Sequence, residues 1–171
     1  IEKYGADALR SALVFGVKEG SDQSLSEEKI VGMRNFANKV WNIGRFIYLN
    51  IKYQKSIRQL ADKNTNQISK ILKKLEKEFK LEKEKYLKLM EGFRFSQALG
   101  LVYQFLWHRF ADYYLEQLKG SLKAGNIKAF EALKEVYFEN LKMLHPFAPF
   151  VTEAIWKIFK GKDKSILNLK F

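Results

Sequence analysis

The sequence predicts an all-α fold, an antiparallel helical bundle with four to five main helices. Pro146 and Pro149 are the only prolines, so most of the chain lacks the residue that breaks helices. Apolar residues recur at spacings of three and four along several long segments. The polar connections between these segments are short, which favours antiparallel neighbours.

Two helices joined by a loop are predicted at the start of the chain. Residues 16–26 have the glycine, serine and charge content of a loop. Ser26 is a good N-cap for a helix that runs to about residue 52, with two glutamates in its first turn. Residues 2–15 are predicted to be a helix whose apolar side carries Ala8, Leu9, Ala12 and Leu13.

Three more helices are predicted beyond a polar connection at residues 54–66. One covers residues 67–91, and Gly92 interrupts it. The next, at residues 95–124, is apolar nearly all round, which is typical of a central, buried helix. The third covers residues 126–144 with Asn126 as its cap. Its predicted inner stripe consists of Ile127, Phe130, Tyr137, Leu141 and Leu144.

The end of the chain is predicted to complete the core. His145 and Pro146 break the preceding helix, and a short helix follows at about residues 149–159. Residues 165–171 suit a strand or an extended tail. The aromatic residues expected to close the core are Phe147, Phe150 and Trp156.

The composition points to a polyanionic partner. Lys and Arg number 31 against 19 Asp and Glu, for a net charge of +12. Such a surplus favours nucleic acid over a membrane, although a lysine-rich genome would also produce it. The chain has no cysteine, no run of about 18 apolar residues and no visible signal peptide, so we expect a cytoplasmic protein without a membrane partner. Because it starts without Met, it is expected to be a fragment of a larger protein.

No catalytic residue or metal ligand is predicted. Glycine-rich phosphate-binding motifs do not occur. His108 lies in the most apolar helix and is predicted to be a core or boundary residue. His145, at a helix end, is predicted to serve the last carbonyls of that helix. Neither histidine has the i, i+4 partner that a metal site on a helix needs.

The helix of residues 27–52 has two unlike halves at about 100° per residue. The half predicted to be buried contains Met33, Phe36, Ala37, Val40, Trp41, Ile43, Gly44, Ile47, Tyr48 and Ile51. The predicted polar half contains Arg34, Asn35, Asn38, Lys39, Asn42, Arg45, Asn50 and Lys52, with Phe46 and Leu49 among them.

The polar half has the chemistry of a nucleic-acid reader. Phosphates could be neutralised by Arg34, Lys39 and Arg45. Base edges could be matched by the amides of Asn35, Asn38 and Asn42. The ring of Phe46 could stack on an unpaired base, as in recognition of single-stranded loops.

A structural interpretation of the same residues stays open. Phe46 could pack against a second neighbouring helix, which Leu49 on the same side favours. The asparagines could form hydrogen bonds between helices. Arg34 and Arg45 could pair with carboxylates of neighbouring helices.

Four sequence blocks resemble class I aminoacyl-tRNA synthetases, and most closely the anticodon-binding domain of their valyl type. They are KYGADALR (3–10), RNFANKVWNIGRF (34–46), FRFSQALGLVYQFLWHRFADYYLEQLK (93–119) and LHPFAPFVTEAIW (144–156). The first and last blocks are shared with leucyl and isoleucyl relatives, and the other two are more particular to the valyl type. One departure is DYYLE, where the family usually has DWYLE.

The resemblance implies a helical bundle that binds the anticodon stem-loop of a valine-specific tRNA. In the family, ATP with Mg serves a catalytic domain of the same chain that carries HIGH and KMSKS signatures. Neither string occurs here, so the resemblance implies no cofactor for this fragment and no activity of its own. Residues 1–26 would be a junction after that domain, and residues 27–171 the anticodon-binding domain.

The resemblance also implies roles for individual residues. The anticodon-binding residues would be Arg34, Asn35, Asn38, Lys39, Asn42, Arg45 and Phe46. Trp107, Asp112, Tyr114 and Glu116 are expected to be structural, with Asp112 and Glu116 pairing across the bundle. The alternatives are a purely structural module that orients a catalytic domain, an isoleucyl or leucyl relative, and a free-standing helical RNA-binding protein.

Overall fold

The computed structural model describes residues 1–17, 20, 24–54, 65–161 and 164–168, without the side chains of residues 51–54, 65 and 168. These parts form helices and no strand, so the all-α prediction is confirmed. The elements are α1 (Ala6–Val14), α2 (Glu27–Gln54), α3 (Thr65–Glu91), α4 (Phe95–Gln104), a π-helical segment (Phe105–Leu115), α5 (Glu116–Lys123), α6 (Ile127–Leu144), α7 (Pro149–Lys160) and a 3-10 turn (Ile166–Asn168). Since α4, the π-helical segment and α5 run on without a break, the described chain has six helices, against the four to five main helices predicted.

Two predicted N-caps are confirmed. The Ser26 hydroxyl accepts a hydrogen bond from the Lys29 backbone N–H at 3.2 Å. The Asn126 side chain accepts one from the Ala129 N–H at 2.9 Å. Both bonds satisfy N–H groups that the first turn of a helix leaves without an intrahelical partner, so they fix where α2 and α6 begin.

The central helix differs from the prediction in its pitch and in its exposed side. Its buried residues in the π-helical segment are Phe105, Leu106, Phe110, Ala111, Tyr114 and Leu115. They recur after five and then four residues, which fits the wider turn of a π-helix. The prediction of an apolar surface all round is wrong, because His108 is exposed and lies 3.7 Å from the Asp112 carboxylate.

Outside α2, three side chains predicted to be buried are exposed instead: Leu13 by 48%, Ile127 by 66% and Phe150 by 65%. Each lies in the first or last turn of its helix, where neighbouring helices enclose a side chain less completely. Phe147 and Trp156 are buried as predicted.

The two expectations for the chain end are also corrected. The His145 Nδ1 lies 2.8 Å from the Thr152 hydroxyl rather than at the carbonyls of its own helix. The described part of 165–171 is a 3-10 turn, not a strand, because Ile166 is buried and its N–H donates to the Glu153 carboxylate at 3.0 Å. Residues 169–171, like 55–64 of the predicted connection, lie outside the described residues.

The Asp7 carboxylate connects α1, near the start of the chain, to the first turn of α7. Buried Asp7 of α1 accepts hydrogen bonds from the N–H groups of Phe150, at 3.1 Å, and Val151, at 2.6 Å. Because these N–H groups belong to the first turn of α7, the negative charge also lies at the favourable end of the helix dipole. Asp7 therefore caps α7 from a helix at the other end of the sequence.

Gly44 brings α2 close to α6 and α7. A Cβ atom at this position would lie 2.8 Å from the Tyr137 hydroxyl oxygen and 3.1 Å from the Ile155 Cγ2 atom. The Tyr137 hydroxyl donates to the Val40 carbonyl at 2.7 Å. Burial raises the pKa of the Tyr137 phenol well above its usual value, so the group stays a hydrogen-bond donor. The absence of a side chain at Gly44 therefore sets the spacing of three helices.

We expect Gly44→Ala to lower the free energy of unfolding by about 1–3 kcal/mol, because the added methyl group overpacks this contact. The Tyr137 hydroxyl would have to leave the Val40 carbonyl. Urea unfolding followed by circular dichroism measures the effect.

Gly32→Ala is the matched control, since Gly32 also lies in α2 but, apart from its chain neighbours and the adjacent backbone of the helix, no atom of the described residues lies within 4 Å of its added Cβ. Helix propensity alone should make this variant more stable by about 0.5–1 kcal/mol. If the two variants were equally stable, close packing at Gly44 would not be a constraint.

Candidate nucleic-acid interface

The exposed face of α2 is rotated relative to the prediction. Trp41 was predicted to be buried but is 39% exposed, whereas Phe46 of the predicted polar half is half-buried and packs against the core. We call the exposed residues of this helix beyond its first turn the α2 crest: Arg34, Asn35, Asn38, Trp41, Asn42, Arg45 and Leu49. The side chains of Ile51 and Lys52 lie outside the described residues. The remaining residues predicted to be buried are buried or half-buried.

The rotation follows from the neighbours of α2. On the Phe46 side, the π-helical segment and α5 cover the helix, and a cleft of about 210 Å³ remains between them. We call it the Phe46 cleft, and its lining residues are Lys39, Asn42, Ile43, Phe46, Ala111, Asp112, Leu115, Glu116 and Lys119. Phe46 therefore packs against the core, as the structural interpretation predicted. One side of its ring still borders the open cleft.

Two ion pairs line the Phe46 cleft. The Lys39 ammonium lies 2.9 Å from the Asp112 carboxylate and 5.5 Å from the centre of the Trp107 ring. The Glu116 carboxylate lies 3.0 Å from the Lys119 ammonium. Asp112 thus pairs across the bundle as expected, whereas Glu116 pairs within its own helix. Since Lys39 is already partnered, it is less available for a phosphate than the sequence indicated.

The two arginines of the α2 crest are available for an anion. Arg34 lies over the Tyr4 ring, with its guanidinium carbon 5.7 Å from the ring centre. Neither Arg34 nor Arg45 forms an ion pair with any carboxylate that the structure describes. The alternative in which these arginines pair with neighbouring helices is therefore wrong for the described residues.

The seven predicted residues form a strip rather than one pocket. Arg34 and Arg45 are separated by about 16 Å along the helix axis, at 1.5 Å per residue. Asn35 borders a shallow groove at the start of α2, and Asn38 borders a second groove beside α1 and α7. Of the three asparagines, only Asn42 lines the Phe46 cleft. Such a strip can contact several consecutive nucleotides, whereas a single base could meet only part of it.

Sequence reasoning missed four residues of this surface: Trp41, Asp112, Glu116 and Lys119. Trp41 lies at the edge of the apolar half of α2, beside Arg34 and Arg45 on the helical wheel, so its angle alone left it close to the boundary. Asp112 and Glu116 were assigned to structure, but both border the cleft. Their spacing of four is the signal that places them on one helix face.

In the part of the chain that the structure describes, no group of three His, Cys, Asp or Glu side chains is placed to hold a metal ion. No described helix has the length and apolar content needed to cross a bilayer.

The geometry agrees with comparisons to known proteins. Residues 71–171 match the anticodon-binding domain of tRNA ligase, and the chain belongs to this family. The resemblance to the valyl type is also confirmed. The chain is 39% identical over 171 residues to the valine–tRNA ligase of Pelagibacter ubique, covering 95% of this chain and 19% of that protein.

Two other relatives show the same relationship. The valine–tRNA ligase of Geobacter sulfurreducens is 35% identical over 165 residues, which cover 94% of this chain and 18% of the relative. That of Thermus thermophilus is 35% identical over 171 residues, covering 98% and 19%. The chain thus spans about a fifth of the length of these relatives.

We expect Phe46→Ala to lower the free energy of unfolding by about 1–3 kcal/mol, less than for a fully buried ring because Phe46 is half-buried. Phe46→Leu should cost less than about 1.5 kcal/mol, since it keeps most of the apolar contact. Urea unfolding of the two variants tests both values.

Asn42→Ala is the control from the same cleft. Asn42 is exposed, and such surface substitutions usually change stability by less than about 0.5 kcal/mol. If Phe46→Ala lowered the free energy of unfolding no more than Asn42→Ala does, the packing of the half-buried Phe46 ring would not stabilise the fold.

Proposed function

We propose that this chain is the tRNA-anticodon recognition module of a valine–tRNA ligase. The observation that carries the proposal is the α2 crest beside the Phe46 cleft, in a chain of the anticodon-binding family. The crest supplies amides and two arginines that form no ion pair with a described carboxylate, and the cleft supplies an aromatic wall with charged groups at its edge. This combination suits an unpaired loop of RNA better than a duplex, because stacking needs bases that are already free.

The Phe46 cleft would bind one anticodon base. The Phe46 ring forms an apolar wall for the base, and the Asn42 amide can both donate to and accept from a base edge. Asp112 and Glu116 can accept hydrogen bonds from an exocyclic amino group, as carboxylates do with cytosine. Valine anticodons carry adenine in the middle and cytosine at the third position, and both bases present such an amino group.

The α2 crest would hold the backbone of the loop. Arg34 and Arg45 meet phosphates, and Asn35 and Asn38 contact the sugars or edges of neighbouring nucleotides. Lys39 contributes chiefly by neutralising Asp112, which otherwise would repel the RNA. The net charge of +12 adds a long-range attraction that weakens as salt increases.

The chemistry of the whole enzyme would lie elsewhere in the parent protein. We propose that ATP and Mg serve a catalytic domain of the same polypeptide, that this fragment alone does not charge tRNA, and that the parent acts in the cytoplasm. Residues 1–26 would be the junction to that domain. The contact of Asp7 with the start of α7 supports a junction that is fixed on the bundle at residues 27–171.

We expect the chain to bind a valine anticodon hairpin RNA more tightly than a hairpin with the middle adenine replaced. Phe46→Leu should weaken binding of the valine hairpin by about 1–3 kcal/mol, because the aromatic wall is lost. Fluorescence anisotropy of labelled hairpins at several salt concentrations measures both effects.

The melting temperature of Phe46→Leu is the internal control, since the substitution keeps most of the packing. Equal affinity for the two hairpins would reject the proposal and favour a purely structural module that only orients a catalytic domain. Loss of affinity in proportion to loss of stability would restrict Phe46 to packing.

A further inference from the structure

An apolar groove of about 270 Å³ lies between α2 and α7, on the side of α2 that faces away from the Phe46 cleft. We call it the Trp41 groove. Arg45 is its only charged lining residue among those that the structure describes. Its lining residues are Trp41, Gly44, Arg45, Tyr48, Leu49, Ile155, Ile158 and Phe159.

Several apolar side chains that line the Trp41 groove are exposed. Leu49 is 41% exposed and Ile158 is 44% exposed. Trp41 is also exposed and belongs to the α2 crest. Because these apolar residues border one groove and are not scattered singly over the surface, the groove is a candidate binding surface. The edge-to-face contact of Tyr48 with Phe159, with ring centres 5.5 Å apart, holds one end of the groove in shape.

The size and charge of the groove favour a nucleobase. Its volume lies just below the range of about 300–1,000 Å³ that drug-sized ligands occupy, so it suits one flat ring rather than a docked helix. The rim carries Arg45, which has no ion pair within the described residues, and no described carboxylate lines the groove. An apolar ring attached to a negatively charged backbone satisfies both features.

The position of Arg45 connects the two sites. It belongs to the crest between the Trp41 groove and the Phe46 cleft, and an α-helix with its side chains is only about 10–12 Å wide. A single strand that crosses α2 can therefore place one base on each side of the helix. The guanidinium of Arg45 then lies under the phosphates that join them.

We propose that the Trp41 groove is a second nucleobase site, in which an unpaired base of the same RNA loop stacks on Trp41 while another base occupies the Phe46 cleft. This inference rests on the proposed function, since it assumes that the α2 crest binds the anticodon loop. It assigns a binding role to a residue that the sequence pattern placed in the core.

The test is Trp41→Ala in the 171-residue chain with a valine anticodon hairpin RNA as the probe. We expect the dissociation constant to rise about 5- to 150-fold, the range found when one stacking aromatic is removed. Leu87→Ala is the control, because Leu87 is likewise exposed but lies in α3, outside the groove. It should leave the dissociation constant unchanged.

Hairpins with one abasic loop position each identify the stacked base. Removing the base at one loop position should weaken binding of the hairpin to the unaltered protein but not to Trp41→Ala. This position should differ from the position at which binding depends on Phe46. Trp41→Phe should retain most of the affinity while losing most of the tryptophan fluorescence quenching caused by RNA, since Trp107 is half-buried and Trp156 is buried.

A pair of charge variants covers the case in which Trp41→Ala does not fold. Ile158→Glu should weaken RNA binding by placing a carboxylate in the groove, whereas Ile158→Lys should not. Equal binding by both variants, or abasic effects that all persist in Trp41→Ala, would overturn the second site.

The two proposals fail in different ways. If the hairpin is bound regardless of its anticodon, the proposed function fails. If binding depends on the anticodon but no loop position is coupled to Trp41, only the second nucleobase site is rejected.

Discussion

The contact at Gly44 fixes the position of α2, the helix that carries both proposed RNA-binding surfaces. The missing side chain lets the Tyr137 hydroxyl reach the Val40 carbonyl and lets Ile155 approach the backbone of α2. Because the Trp41 groove lies between α2 and α7, this spacing sets its width, and α2 is also one wall of the Phe46 cleft. Asp7 adds a second restraint, because it fixes the start of α7, which forms the other wall of the groove.

Much of the fold could be predicted from the sequence, because its determinants are local. The periodic apolar residues and the side-chain caps at Ser26 and Asn126 give helix bounds that agree with the structure to within a few residues. The pitch of the central helix is different, because its buried residues recur after five and four positions over Phe105–Leu115. That spacing is present in the sequence. When the same residues are plotted with the α-helical period of 3.6, however, they fall on nearly all sides of the helix, so the plot indicates a helix that is apolar nearly all round.

The candidate site was harder to predict, because a helical wheel gives angles but not the edges of the buried arc. Those edges are set by neighbours that are distant in sequence. On α2, the π-helical segment covers the side that holds Phe46 and Lys39, whereas α7 leaves Trp41 partly uncovered. The pattern therefore placed most of the exposed polar residues of α2 on the correct side, but it assigned the exposed Trp41 ring to the buried side.

Charge and shape have separate roles in this surface. Lysines such as Lys74, Lys119 and Lys134 pair with nearby carboxylates, so their charge is compensated locally. The long-range field comes from the surplus of cations that gives the chain its net charge of +12. A field of this kind increases the rate of encounter with RNA but does not select a sequence. Selection requires groups held in fixed positions near the bases. Under the proposed function Asp112 would be such a group, because its pairing with Lys39 orients a carboxylate at the cleft and would offset its repulsion of phosphate.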